Sequence, residues 1–232
     1  MVLICEKKMT APLSQKDSAL QWLSHACLPD KKYPFGIVSS IYYDTPWLSL
    51  YQEKINGDFI KKKVRLRWYD THDPQKPEQV YAFLEIKSKM GSGRSKTRKP
   101  LQLNRLWLET VPLDDPSLSE LIYTHSGFED SIPAGLLPSL SLVYERHRFV
   151  CPSSGARVCL DSQIRTGRYH PRLFSSVSSA HYIFMNFIVL EIKDAHTESI
   201  PWLDWLFDRG FRSQSVSKYG MGLFKLIHGE IA

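Results

Sequence analysis

Hydrophobic and polar residues alternate with a period of two along several stretches of this chain, as they do in half-buried β-strands. In the clearest stretch, 61–68, the odd positions are the basic residues Lys61, Lys63, Arg65 and Arg67, and the even positions from 64 onward are the apolar residues Val64, Leu66 and Trp68. Similar patterns predict further strands over Met1–Thr10, Gly36–Thr45, Tyr81–Lys89, Leu142–Val150, Ala156–Ile164 and Tyr182–Lys193. We therefore expect an antiparallel sheet of many strands.

Shorter stretches with helical spacing lie between these strands. They are Ser14–Cys27, Trp47–Ile55, Ser117–Thr124, Pro201–Asp208 and Lys218–Ile227. No stretch has the length and composition of a linker between two domains. The sequence therefore predicts a single domain over residues 1–232.

Strands with one charged and one apolar face can be assembled in two ways. The charged faces can point outward, which is the usual arrangement because charges are normally solvated. They can also point inward with helices covering the apolar faces, provided that water, carboxylates or a bound polyanion compensates the interior charge. The inward arrangement is favoured by the acid-free run of cations over 61–67 and by single carboxylates, Glu85 and Glu191, on other strands.

Composition and charge narrow the class of protein. The chain has 232 residues, of which 43% are hydrophobic, and 30 Lys and Arg against 24 Asp and Glu give a net charge of +6. This composition is that of a globular protein with a basic bias. We expect no membrane-spanning helix, since no run of about 18 apolar residues occurs, and no signal peptide. The four cysteines form no C-x-x-C pair, so we expect reduced thiols in a cytoplasmic protein.

Several common kinds of site are excluded by their missing motifs. The stretch 91–97 resembles a phosphate-binding loop but has Ser95 where that motif needs glycine, so it is predicted to be a turn that leads to Lys96 and Arg98. Zinc-ligand spacing and a G-x-S-x-G motif are both absent from the sequence. No nucleic acid is expected as a partner, because the aromatic residues do not interleave with the basic ones.

Ten short motifs follow one another in order along the chain. They are Glu6-x-Lys8, Ser40-Ile41-Tyr42-Tyr43-Asp44-Thr45, Tyr51-x-x-Lys54-x-x-Gly57, Lys63-Val64-Arg65-Leu66-Arg67-Trp68-Tyr69, Phe83-Leu84-Glu85-Ile86-Lys87, Lys96-x-Arg98, Tyr144-x-Arg146, Arg157-Val158-x-Leu160-Asp161, Leu190-Glu191-Ile192-Lys193 and Ser217-Lys218-Tyr219. The series resembles the catalytic domain of the vacuolar transporter chaperone (VTC) family, which comprises polyphosphate polymerases of the triphosphate tunnel metalloenzyme (CYTH-like) superfamily. The resemblance covers nearly the whole chain.

The resemblance implies an α+β fold: a closed antiparallel β-barrel with a cationic interior and helices packed outside. It also implies ATP and inorganic polyphosphate as substrates and a divalent metal, Mn²⁺ or Mg²⁺. Carried over residue by residue, the cations that would bind phosphates are Lys8, Lys54, Arg65, Arg67, Lys87, Lys96, Arg98, Arg146, Arg157 and Lys218. Tyr144 would contact the nucleotide, Glu191 would hold the metal, and Glu85 and Glu6 are further candidate ligands.

Two positions depart from the family pattern. Ile4 stands where relatives often have arginine, and Lys54 stands where they can have arginine. The first change removes a phosphate contact, whereas the second keeps the charge but not the bidentate geometry.

The resemblance and the residue chemistry together predict an ATP-dependent polyphosphate polymerase. Phosphoryl transfer depends mainly on positioning and on stabilisation by cations and metal. A terminal phosphate needs no general base, whereas hydrolysis needs an activated water, and carboxylates are few among the basic strands. The first alternative is a tunnel triphosphatase that hydrolyses tripolyphosphate or a nucleoside triphosphate. The second alternative is a non-catalytic binder of polyphosphate or RNA. A membrane partner that accepts the polymer stays open.

Overall fold

The computed structural model describes residues 5–70, 77–124, 132–174, 183–194 and 203–228. Its strands are β1 (Cys5–Pro12), β2 (Leu28–Pro29), β3 (Phe35–Asp44), β4 (Ile60–Asp70), β5 (Gln79–Met90), β6 (Gly93–Asn104), β7 (Leu137–Val150), β8 (Arg157–Tyr169), β9 (Ile183–Phe184), β10 (Phe187–Asp194) and β11 (Arg212–Ser213). Its helices are α1 (Lys16–Ala26), α2 (Ser49–Ile55), α3 (Arg105–Thr110), α4 (Pro116–Tyr123), α5 (Leu203–Asp208) and α6 (Lys218–His228), and a 3₁₀ turn over Leu13–Gln15 precedes α1.

The chain divides into two compact units, each made of three separate segments. The first unit comprises residues 1–37, 144–164 and 184–217, and the second comprises residues 38–143, 165–183 and 218–232. Each unit has its own cluster of buried apolar side chains. The single domain expected over residues 1–232 stays a prediction.

The first unit is built on β1, β10 and β8, which pair antiparallel in that order. Its apolar cluster joins strand residues such as Val158 and Leu190 to Leu23 of α1 and Leu206 of α5. All four of these side chains are fully buried. The helices of the unit therefore cover the apolar face of its strands.

The second unit is built on β4, β5 and β6, which form two consecutive antiparallel hairpin pairs. Its apolar cluster joins Val64, Leu66 and Leu84 of these strands to Leu108 of α3 and Leu118 of α4. The two helices have capped starts that position them here. Asn104 and Asp115 each accept a hydrogen bond from a backbone N–H of the first turn, and Pro116 occupies the first turn of α4.

The charged strand faces are not solvated at their centre. Arg65, Arg67 and Glu85 are at most 9% exposed, while helices cover the apolar face of the same strands. The sequence left two arrangements open, with the charged strand faces pointing outward or inward. The second unit has the inward arrangement, in which the charged face is buried at its centre and helices cover the apolar face.

The hydrogen bonds between strands do not close the sheet. Among the described residues the order of paired strands is β11-β1-β10-β8-β7-β3-β4-β5-β6, with β2 on β7 and β9 on β8, and this path does not return to its first strand. The closed barrel expected from the sequence is therefore corrected to an antiparallel sheet with flanking helices. The last strand, β6, carries basic side chains and Pro100, a composition that prevents further pairing at a sheet edge.

The predicted elements agree with the structure apart from a few differences. The stretch Tyr182–Lys193 forms two strands, β9 and β10, and Tyr182 itself lies outside the described residues. Pro201 also lies outside them, and the described part of that helix begins at Leu203. The strands β2, β6 and β11 and the helix α3 were not predicted. Among the described residues no helix is both long and apolar enough to cross a membrane.

Candidate functional site

Basic residues form rows across three neighbouring strands of the second unit. The antiparallel register places Lys63, Lys87 and Lys96 side by side, and in the next row Arg65, Glu85 and Arg98. Like charges directly opposite each other on a sheet are destabilising. We call these six residues the basic rows. The five cations among them need a negative charge nearby, and Glu85 supplies one.

Glu85 lies at the centre of the basic rows and is 1% exposed. Its Oε2 accepts hydrogen bonds from Arg65 Nε at 2.8 Å and from an Arg65 terminal nitrogen at 2.5 Å. Its Oε1 lies 2.5 Å from Lys96 Nζ and 3.4 Å from Arg98 Nε. Burial would raise the pKa of this carboxyl, but the Arg65 and Arg67 charges and the hydrogen bonds from Lys96 and Arg65 lower the pKa to about 2.

Tyr42 of β3 holds the other side of Arg65. Its hydroxyl accepts a hydrogen bond of 3.1 Å from the second terminal nitrogen of Arg65. Burial raises the pKa of Tyr42, but Arg65, Arg67 and Lys63 outweigh it and lower the pKa to about 7. A phenol so easily ionised indicates a strongly positive potential at this position. Neighbouring Arg67 donates to Ser40 Oγ at 3.0 Å.

A buried carboxylate, Asp44, joins two helices of the second unit that carry predicted site residues. It accepts hydrogen bonds from the backbone N–H of Leu50 in α2, at 2.8 Å, and from the hydroxyl of Tyr219 in α6, at 2.6 Å. Tyr219 also stacks on Tyr42 with ring centroids 4.8 Å apart. Burial raises the pKa of both Asp44 and Tyr219, and for Tyr219 the Asp44 carboxylate raises it further.

These contacts fix the helices α2 and α6, from which two of the predicted phosphate ligands extend. Lys54 lies in the last turn of α2, and Lys218 is the first residue of α6. Both side chains are half-buried. Asp44 and Tyr219 therefore support this region of the second unit, although the sequence did not single them out as site residues.

The first unit contains a second charged cluster, centred on Arg146 and Asp161. Arg146 donates two hydrogen bonds to the fully buried Asp161 carboxylate, Nε to Oδ1 at 2.5 Å and a terminal nitrogen to Oδ2 at 2.7 Å. Burial would lower the pKa of Arg146, but Asp161 raises it well above its ordinary value. The two hydrogen bonds form a bidentate pair, and this geometry fixes the position and orientation of the Arg146 guanidinium.

Glu191 extends this cluster toward β1. It lies opposite Lys8 on β1, while Glu6 lies opposite Lys193. Glu191 Oε1 is 2.8 Å from Lys193 Nζ, and its Oε2 is 3.7 Å from a terminal nitrogen of Arg146. Burial would raise the pKa of Glu191, but a side-chain hydrogen bond with Glu6 and the charges of Arg146, Lys193 and Lys8 hold it well below its ordinary value.

The structure therefore places the predicted site residues in two clusters. The second unit brings together Arg65, Arg67, Glu85, Lys87, Lys96 and Arg98, with Lys54 and Lys218 on its helices. The first unit contains Lys8, Glu6, Arg146, Arg157, Glu191 and Tyr144. Arg157 lies opposite Lys193, and Tyr144 is buried with Arg146 5.4 Å from its ring centre. Ile4 lies outside the described residues.

Comparison with known proteins identifies the family. A family model for the VTC domain matches residues 6–227. The chain belongs to the VTC domain family. The resemblance found in the sequence motifs is thereby confirmed. No curated protein matches the chain.

Three solved structures are similar to this VTC domain at low sequence identity. A proposed adenylate cyclase from Bacillus halodurans is 13% identical over 91% of this chain and 92% of that chain, with a TM-score of 0.49. One from Vibrio parahaemolyticus is 15% identical over 96% and 88%, with a TM-score of 0.38. The Mediator head module of Schizosaccharomyces pombe is 11% identical over 97% and 94%, with a TM-score of 0.43.

The carboxylates of this VTC domain differ in how well they fit a divalent metal. Among the residues that the structure describes, no three His, Cys, Asp or Glu side chains form a complete metal-binding group. Mg²⁺ and similar ions in phosphoryl-transfer sites need only one or two carboxylates, because substrate phosphates and water supply the other ligands. Glu6 and Glu191, whose side chains are in contact, fit this requirement as a pair of carboxylates, with their nearest cations at 2.8 Å or more. Glu85 does not, since it is a single carboxylate with Arg65 and Lys96 each within 2.5 Å of one of its oxygens.

Proposed function

We propose that this VTC domain is a metal-dependent polyphosphate polymerase. In the proposed reaction a terminal oxygen of polyphosphate attacks the γ-phosphorus of ATP, the bond from that phosphorus to the β–γ bridging oxygen breaks, and ADP leaves. The observation that supports it best is the pair of basic rows, which contain five cations and one carboxylate within a domain of this family.

The basic rows suit the charge of the substrates. Phosphoryl transfer spreads negative charge over the transferred group, so fixed cations stabilise the transition state. Arg65 is held in place by Glu85 and Tyr42, so its positive charge has a fixed position in the site. Lys87, Lys96 and Arg98 are exposed on the same face, where a phosphate chain can contact them.

Transfer is favoured over hydrolysis because the central carboxylate is a poor base. A general base works best when its pKa is near the operating pH, whereas the pKa of Glu85 is about 2. Its oxygens are also engaged by Arg65 and Lys96. A phosphate acceptor is already ionised and needs no such base.

Glu6 and Glu191 of the first unit are the residues that would hold the metal. When bound, Mn²⁺ or Mg²⁺ would neutralise charge on the phosphate oxygens. The lysines and arginines that surround these carboxylates keep Glu191 ionised at neutral pH. Glu191→Gln is therefore expected to raise the Mn²⁺ concentration needed for half-maximal rate.

The test is polymer synthesis by the purified protein with ATP and Mn²⁺, followed by phosphorus NMR and gel electrophoresis. We expect ADP together with internal phosphate resonances of long chains. Arg67→Ala should reduce the rate by at least about tenfold, since it removes a buried cation of the site, whereas the exposed Arg172→Ala, in the same unit, should not. Release of orthophosphate without polymer would instead identify a triphosphatase, and tight polyphosphate binding without turnover would identify a binder.

A further inference from the structure

The closed end of the β5–β6 hairpin exposes large apolar side chains. Phe59 is 70% exposed, Met90 62% and Ile60 50%. Ile60 lies directly opposite Met90 in the β4–β5 register, and the Phe59 carbonyl accepts a hydrogen bond of 3.0 Å from the backbone N–H of Gly91. These contacts join the three side chains into one surface, which we call the hairpin-end patch.

Gly91 fixes the position of the Phe59 ring. Its φ of 57° lies in the left-handed region that favours glycine. A Cβ at this position would come within 2.8 Å of the Phe59 ring. The ring therefore packs over the turn where only glycine leaves room for it, and the patch is a defined feature of the hairpin.

The patch lies on the same strand face as the apolar core of the second unit, with the row of Lys62 and Ser88 between the two. Ile60 and Met90 have the same alternation as Val64 and Ile86, which are buried in the core of the second unit. Along the same strands toward the hairpin end, the side chains become exposed. Exposed clusters of large apolar side chains commonly mark sites of interaction.

Charge next to the patch selects the partner. Residues 86–99 contain six lysines and arginines and no acid. The row of residues next to the patch, on the other strand face, consists of Lys61, Lys89 and Arg94, and the last two are exposed. An apolar patch beside this many cations complements a surface that is both apolar and anionic.

We propose that the hairpin-end patch docks on an anionic lipid membrane. Phe59, Ile60 and Met90 would enter the boundary between headgroups and acyl chains, and Lys89 and Arg94 would contact the headgroups. The patch exposes on the order of 300 Å² of side chain, well below the roughly 800 Å² that each partner of a stable protein interface buries. A few apolar side chains with adjacent cations are, however, sufficient for reversible membrane binding.

The test is flotation of the protein with lipid vesicles at physiological salt. We expect binding to phosphatidylcholine vesicles that contain phosphatidylserine and little binding to phosphatidylcholine alone. Phe59→Ser with Met90→Ser should weaken binding at least about tenfold. The double variant Lys89→Glu, Arg94→Glu should weaken vesicle binding by about fivefold or more for each residue changed. The reason is that one cation near an anionic membrane surface contributes about a fivefold gain in affinity.

The matched control is Leu106→Ser. Leu106 is 66% exposed in the same unit and follows the open end of the same hairpin, so its change should leave vesicle binding unaltered. A dye attached to Met90→Cys should shift to shorter wavelength when anionic vesicles are added, and this measurement applies even if the double serine variant folds poorly.

Three results would overturn the proposal. Equal binding to neutral and anionic vesicles would remove the role of the cations. Wild-type binding by the folded Phe59→Ser, Met90→Ser protein would show that cations alone adsorb the protein. A patch-dependent dimer in analytical ultracentrifugation, without vesicle binding, would show that a second copy covers the patch. None of these results depends on polymer synthesis, so they are distinct from failure of the proposed function.

Discussion

Replacing Glu85 with glutamine removes the acid of the basic rows while keeping its shape. The folded protein lowers the pKa of this carboxyl from 4.5 to about 2. Since one pKa unit corresponds to about 1.4 kcal/mol, ionisation of this carboxyl stabilises the fold by roughly 3 kcal/mol relative to the uncharged form, which glutamine resembles. That is a large part of the 5–15 kcal/mol that is typical for unfolding of a domain.

The assay is urea unfolding in phosphate-free buffer at pH 7. With a denaturant dependence of about 3 kcal/mol per molar urea, Glu85→Gln should lower the midpoint by about 1 M. The exposed Glu120→Gln, in the same unit, is the control and should not change it. Tripolyphosphate should raise the midpoint more for Glu85→Gln than for wild type, because it replaces the missing negative charge among Arg65, Lys96 and Arg98.

The pH dependence gives a second check on Glu85. Because its pKa is lower in the folded than in the unfolded protein, its stabilisation is present above about pH 4.5 and is lost as the pH falls toward 2. The difference between wild type and Glu85→Gln should therefore narrow on acidification. An unchanged midpoint at pH 7, or a difference that stays constant to pH 2, would refute the reasoning.

Three further predictions concern other buried groups. Arg146→Ala should lower the free energy of unfolding by about 3 kcal/mol or more, measured in urea, because it leaves the fully buried Asp161 carboxylate without its bidentate partner; equal stability would contradict this. Tyr42→Phe should remove a phenol that ionises near pH 7 in ultraviolet difference titration. Since that pKa is lowered from 10, the contribution of Tyr42 to stability should appear as the pH rises above about 7 and be complete above 10, and a variant with the wild-type profile would exclude it. Burial and the neighbouring Cys151 raise the pKa of the Cys27 thiol to about 12, so iodoacetamide at pH 8 should alkylate Cys27 only after unfolding, as peptide mass spectrometry can show.

The strands with strict alternation could be predicted because side-chain direction in a strand follows directly from position. Val64 and Leu66 are in the core and Arg65 is on the other face, as the pattern in 61–68 indicates. The strand β6 could not be predicted in this way. Most of its residues are polar and exposed, and its conformation is specified by pairing with β5 across the turn at Gly91.

The cations of the candidate site could be named from the sequence, but their partners could not. Arg146 and Asp161 lie on different strands, and only the register brings them together. Tyr42 lies in an aromatic stretch typical of a core, and its contact with Arg65 depends on a strand 23 residues further along the chain. Which acid neutralises which base is a property of strand pairing, and local pattern contains no information on it.

The pairing of β1 with β10 has a consequence for biosynthesis. Residue Lys8 lies opposite Glu191, so the first strand of the chain finds its partner only after about 180 more residues have been made. At the usual rate of 5–20 residues per second, that interval is about 10–40 s. The hairpins of the second unit, by contrast, pair residues close in sequence and can form early. The first unit therefore cannot complete its core until β10 has been made, and chaperones that shield nascent strands have their longest opportunity to act on β1.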